Sequence, residues 1–551
     1  MSRSLHWPPG LPGHLELPRT SLYENLAISA KRYPDRAATI YYGAELSYAE
    51  LDSQVRALAG FLQQRCGVGR GDRVALFMQN SPQFVIAMYA ILRADAVVVP
   101  VNSMNMLEEV RHVVRDSGAT AALVAQELAP QLMPLKGELL EHVVVATYSE
   151  YIDPDTDLPL PDVASMPCID IDGAIAWADA LAAQCVPSEH LAGPDDLAVM
   201  PYTSGTTGHP KGCRHTHRSV MHTAVAAPEW CRTSKDVVVL ANLPMFHVTG
   251  MQNGVNTPIW RGNTTLVMTR WDKRCAALLI ERHRAGAWTA IPTMLMDFLA
   301  QDLSAHDLSS MQILTGGGAA MPRAVAERIK SLWGLDYVEG YGLSETMAPT
   351  HINPVHRPKA QCLGLPIFDT DSRVVDPATL EELLPGEVGE ILSSGPQVML
   401  GYHGRPEADA LAFVMIDGKR FLRTGDLACV DEDGYFFMVD RLKRMINASG
   451  YKIWPAEVEA LLYAHPAVQE ACVVGIRDSH RGESAKAIVV LREGQSLTEA
   501  ELIEWARGHM AAYKVPHAVE FRAALPRSAT GKVQWRALQE DEDRAYDTGG
   551  E

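Results

Sequence analysis

The sequence predicts an α/β protein of at least two domains, the larger one built on mostly parallel sheets. Three observations carry that expectation. The chain has 551 residues, long for a single core. Apolar runs of strand length alternate with segments of helical spacing over most of it, the pattern of parallel strands covered by helices. Near Asp440 that pattern breaks and restarts as a small α/β unit.

In chain order, Ser47 to Leu62 opens on a helix-starting serine and then repeats apolar positions at helical spacing. Arg73 to Met78 and Ala96 to Pro100 read as buried strands. Phe84 to Val101 is the best membrane candidate, but Arg93 and Asp95 interrupt it, so a helix followed by a buried strand is expected. Further strand-like runs begin at Ala121, Val143, Leu197, Val237 and Thr265, and a Pro/Asp-rich passage from Tyr151 to Pro167 reads as a surface excursion. After Asp440 come a helix at Pro455 to Ala464, strands at Glu470 to Ile476 and Ala485 to Leu491, and a helix at Thr498 to Met510. The expected domains are residues 1–440 and 441–551, joined by a hinge near 440–445.

Composition narrows the function classes. With 47% hydrophobic and 21% charged residues the chain reads as soluble and globular, and a formal charge of −18 disfavours a general nucleic-acid binder. Nine cysteines lie scattered with no C-x-x-C pair, which favours reduced thiols in a cytoplasm. No secretory signal is read at the N-terminus and no transmembrane segment is expected, while peripheral membrane contact and oligomeric state stay open.

Tyr202-Thr-Ser-Gly-Thr-Thr-Gly-His-Pro-Lys-Gly212 follows a strand-like run and is built to hold phosphate. Gly205 and Gly208 let backbone N–H groups approach an anion, Thr203, Ser204, Thr206 and Thr207 add hydroxyls, and Lys211 adds charge. It departs from the Walker A spacing, and no hydroxyl follows the lysine. Leu314-Thr-Gly-Gly-Gly-Ala-Ala-Met-Pro322 is a glycine-rich turn, weak by itself. Glu339-Gly-Tyr-Gly-Leu-Ser-Glu-Thr346 offers an aromatic face, a hydroxyl and a carboxylate, suited to a base, a phosphate and Mg²⁺. Thr424-Gly-Asp426 supplies an acid of the kind a ribose diol needs. Asp440-Arg-Leu-Lys-Arg-Met-Ile-Asn-Ala-Ser-Gly450 and Leu525-Pro-Arg-Ser-Ala-Thr-Gly-Lys532 complete the set, although a lone lysine on a turn is ordinarily a solvated charge. His209, His215, His217 and His222 cluster after the phosphate loop with poor metal spacing.

In combination and in this order, from about Leu22 to Leu538, these segments resemble the adenylate-forming superfamily of acyl-CoA synthetases, adenylation domains and beetle luciferases. The resemblance implies a large N-terminal domain of two α/β sheets and a β-barrel-like subdomain, with a small mobile α+β C-terminal lid. It makes Thr203 to Lys211 the loop for the ATP β- and γ-phosphates. Gly316, Gly317, Gly318 and Ala319 would frame the adenine, Tyr341 would stack on it, and Ser344, where relatives usually carry Thr, would touch the α-phosphate. Glu345 would hold Mg²⁺, Asp426 and Arg441 the ribose, and Lys532 the reacting carboxylate and α-phosphate. His247 resembles the residue gating the acyl pocket, and Lys443 the hinge that presents Ser449, Gly450, Tyr451 and Lys452 to the pantetheine of coenzyme A. Lys452, Arg477 and Arg481 are candidates for the CoA phosphates, with a solvated face as the alternative.

The implied activity is ATP-dependent formation of an acyl adenylate and transfer of the acyl group to CoA. No Asp stands near Val248 for a substrate amine, and the pocket candidates Val248, Thr249, Met251, Gln252, Ile291, Met294, Met296 and Met347 are mainly apolar, which suits a neutral-tailed fatty or aryl acid without fixing its length; a medium- or long-chain fatty acid is the expected substrate. An aryl acid, loading of a carrier protein, a luciferase-like oxygenase and a non-catalytic acyl- or nucleotide-binding relative are the alternatives.

Overall fold

Ser47 starts a helix at Tyr48–Arg65 by a reciprocal cap. Its hydroxyl accepts the Glu50 amide at 3.2 Å, and the Glu50 carboxylate accepts the Ser47 amide at 2.9 Å. The fully buried helix Pro82–Arg93 packs against it, capped by Ser81 and started by a proline at its first position. Asp95 then takes a left-handed turn at φ 61° and leads into the strand Val97–Pro100. The apolar stretch is thus a helix and a strand, and among the described residues no helix is long and apolar enough to cross a membrane. The computed structural model describes residues 6–203, 210–318, 320–448, 451–478, 482–528 and 532–548.

Two sheets organise the N-terminal part. The first has seven strands in the order His215–Thr216, Leu197–Val199, Val97–Pro100, Arg73–Phe77, Ala121–Ala125, His142–Ala146 and Ile175–Ala176. All its pairings are parallel except that of His215–Thr216 with Leu197–Val199. The second has nine strands, with Tyr337–Tyr341, Ile313–Gly317, Ala285–Thr289, Val238–Ala241, Thr264–Val267 and Ala37–Tyr41 running parallel through its middle. Short antiparallel strands close both edges. Parallel strands buried on both faces explain why the sequence shows continuous apolar runs rather than alternation.

The chain divides into two compact units, residues 1–371 with 393–422, and residues 372–392 with 423–551. The division lies earlier than the expected hinge at 440–445, because strands of the 372–392 segment and the strand pair that follows Arg423 pack with the C-terminal elements. Most strands of a five-stranded sheet, made of Asp371–Val375, Gly389–Ser394, Phe413–Ile416, Lys419–Val430 and Phe436–Arg441, fall in the second unit, and Lys419–Val430 runs antiparallel to Phe413–Ile416 and to Phe436–Arg441. The rest of that unit is a sheet dominated by the pair Val468–Asp478 and Gly482–Leu491, covered by the helices Pro455–Leu462, Glu499–Arg507 and Trp535–Thr548. The helix–strand–strand–helix order expected after Asp440 is the order observed.

Candidate active site

The phosphate-type segment is a two-stranded hairpin. Thr203 pairs with Lys211 and Tyr202 with Gly212, while Ser204, Gly205, Thr206 and Thr207 at its tip lie outside the described residues. Neighbours hold its arms firmly. Tyr202 donates to Asp116 at 2.8 Å, His112 Nε2 donates to the Pro210 carbonyl at 2.9 Å, and the His403 amide donates to the Gly212 carbonyl at 2.8 Å. Lys211 Nζ sits 5.2 Å from the centre of the Tyr402 ring.

The strand and helix after the hairpin spend their histidines on carbonyls and amides. His215 Nε2 donates to the Ser344 carbonyl at 2.8 Å, His222 Nε2 donates to the Phe368 carbonyl at 3.0 Å, and His217 Nδ1 accepts the Leu22 amide at 3.1 Å. Burial pushes all three down to about 4, so they are neutral at physiological pH. His209 lies outside the described residues, among which no group of three or more His, Cys, Asp or Glu side chains could hold a metal ion.

Gly316 and Gly317 end a central strand, and there a side chain has no room: a Cβ would overlap the Ala290 carbonyl at Gly316 and the Gly340 carbonyl at Gly317. Close strand packing therefore already demands these two glycines. Gly318 follows at φ 84°, and Ala319 lies outside the described residues. On the adjacent strand Glu339 is buried, pushed up to about 7 by that burial against the backbone N–H bonds it accepts. Tyr341 ends the same strand with its ring 5.6 Å from that of His351.

Ser344–Thr346 form a single turn. His215 holds its first carbonyl, the Met399 amide donates to the Glu345 carbonyl at 2.8 Å, and the Tyr402 hydroxyl donates to Glu345 Oε1 at 2.8 Å. Met347 and Ala348 then adopt φ of 49° and 57°, a strained pair for non-glycine residues. A chain of buried polar groups fixes them. Tyr89 donates to Asn256, Asn256 to Gln252, Gln252 to Thr223, and Thr223 to the Met347 carbonyl at 3.0 Å. Gln252–Asn256 is a π-helical turn, a feature found often at functional sites.

In the second unit Asp426 and Arg441 are cross-strand partners, with Arg441 Nε 3.0 Å from the fully buried Asp426 carboxylate. Lys532 is exposed by area, yet crowding of its ammonium and the nearby Arg441 push its pKa below the usual lysine value, with Asp426 opposing. Lys443 falls on the turn Leu442–Arg444. Beside it, buried Asp440 accepts the Ala456 amide at 2.7 Å, and Arg444 pairs with Glu459 and lies 3.7 Å from Asp440. Lys452 stands on the strand Tyr451–Ile453 opposite Asn447, and Arg477 on Val468–Asp478, whereas Ser449, Gly450 and Arg481 lie outside the described residues.

Residues 26–403 match the profile of the AMP-binding enzymes, and residues 457–532 that of the AMP-binding enzyme C-terminal domain. This chain belongs to the AMP-binding enzyme family. It is 35% identical over 554 residues to the long-chain-fatty-acid–CoA ligase of Bacillus subtilis (strain 168), covering 97% of both chains. It is 35% identical over 512 residues to a feruloyl-CoA synthase of Amycolatopsis, covering 92% of this chain and 95% of that one. Among solved structures it resembles ATP-bound MatB of Rhodopseudomonas palustris, with a TM-score of 0.84 and 26% identity over 96% of this chain and 100% of that one. The chain is an acyl-CoA synthetase, an acid–thiol ligase.

This AMP-binding enzyme carries His247 at the start of a short helix, its Nδ1 3.4 Å from the Thr249 amide. Beside that helix lies a crevice of little more than water size, lined by Leu240, Asn242, Leu243, Asn253, Gly254 and Thr289 among others. None of the eight expected pocket residues lines it. Met251 and Met347 are buried in the main core, Gln252 belongs to the polar chain above, and Met296 is exposed. Asn242 is held between Trp288 Nε1, which donates to it at 2.9 Å, and Met294 Sδ, 3.0 Å from its amide nitrogen.

Sequence reading missed Tyr402 and Thr223 and the backbone role of His215; the run Gly401-Tyr-His-Gly404 was the available signal for the first. It also missed a Ser–His–Asp arrangement, Ser21 Oγ 2.6 Å from His190 Nε2 and His190 Nδ1 2.6 Å from Asp95. Ser21 is fully buried and Asp95 also accepts the Leu191 and Ala192 amides, so the arrangement ties the helix Leu22–Arg32 in place and offers a substrate no nucleophile.

Proposed function

We propose that this enzyme activates a medium- or long-chain fatty acid as its acyl adenylate, with Mg²⁺ on the triphosphate, and passes the acyl group to coenzyme A in the cytoplasm. A carboxylic acid does not acylate a thiol at neutral pH, because oxide is too poor a leaving group. In the first half-reaction a carboxylate oxygen bonds to the α-phosphorus of ATP and the bond to pyrophosphate breaks. In the second, the CoA sulfur, having lost its proton, bonds to the acyl carbon and AMP departs. The hairpin with Thr203 and Lys211 would bind the β- and γ-phosphates, Ser344 the α-phosphate, Tyr341 the adenine, and Asp426 with Arg441 the ribose.

A magnesium ion arriving with ATP would be held by Glu345 and phosphate oxygens. One hydrogen-bonded carboxylate suits an ion that keeps several waters and binds substrate phosphates, so the donor set fits. The ion would supply positive charge against the triphosphate. Lys532 would neutralise charge on the carboxylate and α-phosphate as they meet. A turn about Lys443 would then withdraw Lys532 and bring Ser449 to Lys452 to the pantetheine. Nine free cysteines support a reducing compartment.

The observation that carries the acyl assignment is the match to a long-chain ligase over 97% of both chains. A second reading, an aryl acid, is favoured by the 35% identity to a feruloyl-CoA synthase over 92% of this chain. Incubation with ATP, Mg²⁺, CoA and a panel of short, medium, long-chain and aryl acids, read by mass spectrometry, tests both. Fatty acyl-CoA is the expected product, and aryl-CoA alone would replace the first reading by the second. Lys532→Ala is expected to lower adenylation, measured by ATP–pyrophosphate exchange, about 10²- to 10³-fold.

A further inference from the structure

We propose that Tyr402 is a positioning residue for adenylate formation: it fixes the Glu345 carboxylate for the metal-bearing triphosphate and ties it to Lys211 of the phosphate hairpin. The inference rests on the reading of Glu345 as the magnesium ligand.

One side chain touches both groups. The Tyr402 hydroxyl donates to Glu345 Oε1 at 2.8 Å, and Lys211 Nζ lies 5.2 Å from the centre of its ring. The terminal torsion of a glutamate is broad and twofold, so a free carboxylate rotates through many planes. A hydroxyl of fixed position selects one.

The backbone of Tyr402 is itself pinned between the two motifs. Its amide donates to Asp409 at 2.7 Å, and it forms an antiparallel bridge with fully buried Cys213. The next amide, of His403, donates to the Gly212 carbonyl, and that of Met399, three residues earlier, to the Glu345 carbonyl. Gly401 has no room for a side chain, since a Cβ would overlap the Asp409 carboxylate. Segment 399–403 thus stitches the phosphate hairpin to the Ser344–Thr346 turn, and Tyr402 is where the stitch reaches the chemistry. A side chain so placed would couple the cation that meets the γ-phosphate to the carboxylate that holds the metal.

Hydrogen-bond partners of metal ligands are worth about 10- to 100-fold in metal affinity. Mn²⁺ serves as the probe, titrated by electron paramagnetic resonance into wild type, Tyr402→Phe, Glu345→Gln and the double variant, each with α,β-methylene-ATP. Tyr402→Phe keeps the ring over Lys211 and removes only the hydroxyl. Glu345→Gln is expected to weaken Mn²⁺ binding, Tyr402→Phe to weaken it about tenfold, and the double variant to match Glu345→Gln alone. No loss in Glu345→Gln would overturn the metal reading and this inference with it. Loss in Glu345→Gln but none in Tyr402→Phe, or two losses that add, would overturn the positioning role alone. Tyr402→Leu, which also removes the ring, gives the second arm: a further loss of metal-free nucleotide affinity is expected, and nucleotide affinity equal to that of Tyr402→Phe would overturn the link to Lys211. Thermal melting of each variant separates these outcomes from unfolding.

Discussion

The turn that carries Glu345 and the segment that carries Lys443 are held by opposite kinds of chemistry. Around the turn, the groups fixing the backbone are neutral: His215, Thr223, Gln252 and the Met399 amide. Around Lys443 they are ions, with buried Asp440 and half-buried Glu459 beside Arg444 and Asp426 buried beside Arg441. Neutral networks are specific and cheap to bury, so they suit a backbone that must keep one shape while a highly charged triphosphate comes and goes. Ion pairs cost several kcal/mol to desolvate and are recovered only in one geometry. They suit a segment whose alternatives are few and separated, as the hinge proposed at Lys443 would require.

The largest effect that would sharpen this contrast is Arg444→Met. It leaves buried Asp440 and half-buried Glu459 without their cation and should destabilise the enzyme by about 3–5 kcal/mol in chemical denaturation. Adding Glu459→Leu should recover part of the loss, since the uncompensated charge is gone. A cost under about 1 kcal/mol for Arg444→Met would mean the cluster is solvated and the contrast is false.

Acid should strike the neutral region first. Folding lowers His215, His217 and His222 to about 4 and His351 to about 3, in each case by burial. The unfolded chain therefore takes up protons first as pH falls through about 6.5, and stability is lost until the folded values are passed. Glu339 acts in the other direction. Raised to about 7, it is protonated in the folded enzyme before the unfolded one, so its contribution is present at low pH and lost as pH rises through 7. From pH 7 to 5.5 the histidines together outweigh it, for a net loss on the order of 3 kcal/mol. Equilibrium unfolding across that window should show the decline, and a flat profile would mean these rings are hydrated.

What the sequence made legible follows from the range over which each feature is decided. Hairpin chemistry is local: glycines, hydroxyls and a lysine within eleven residues announce a candidate phosphate loop before any fold is known. The parallel sheets were legible because their strands are continuous apolar runs. Tyr402 was not, because its meaning depends on Glu345, 57 residues away, and the same holds for His215 with Ser344 at 129 and Thr223 with Met347 at 124. His215 looked like a member of a histidine cluster, yet it is a backbone clamp.

The smallest expected effect is the most discriminating. Thr223→Val keeps the shape of a buried side chain and removes the hydroxyl that donates to the Met347 carbonyl and accepts from Gln252. Gln252 retains its bond to the Val220 carbonyl at 2.9 Å, so the core should lose only about 1–2 kcal/mol. If the network serves the core alone, the melting temperature falls and adenylation does not change. Met347 and Ala348, however, hold left-handed conformations that cost roughly 1–3 kcal/mol each, and they begin two residues after Glu345. Releasing the Met347 carbonyl lets that strain relax toward Glu345, so the ATP–pyrophosphate exchange rate should fall several-fold, with the Mg²⁺ dependence moving to higher concentration. A drop in stability with exchange intact would show that the neutral chain shapes the core without shaping the turn.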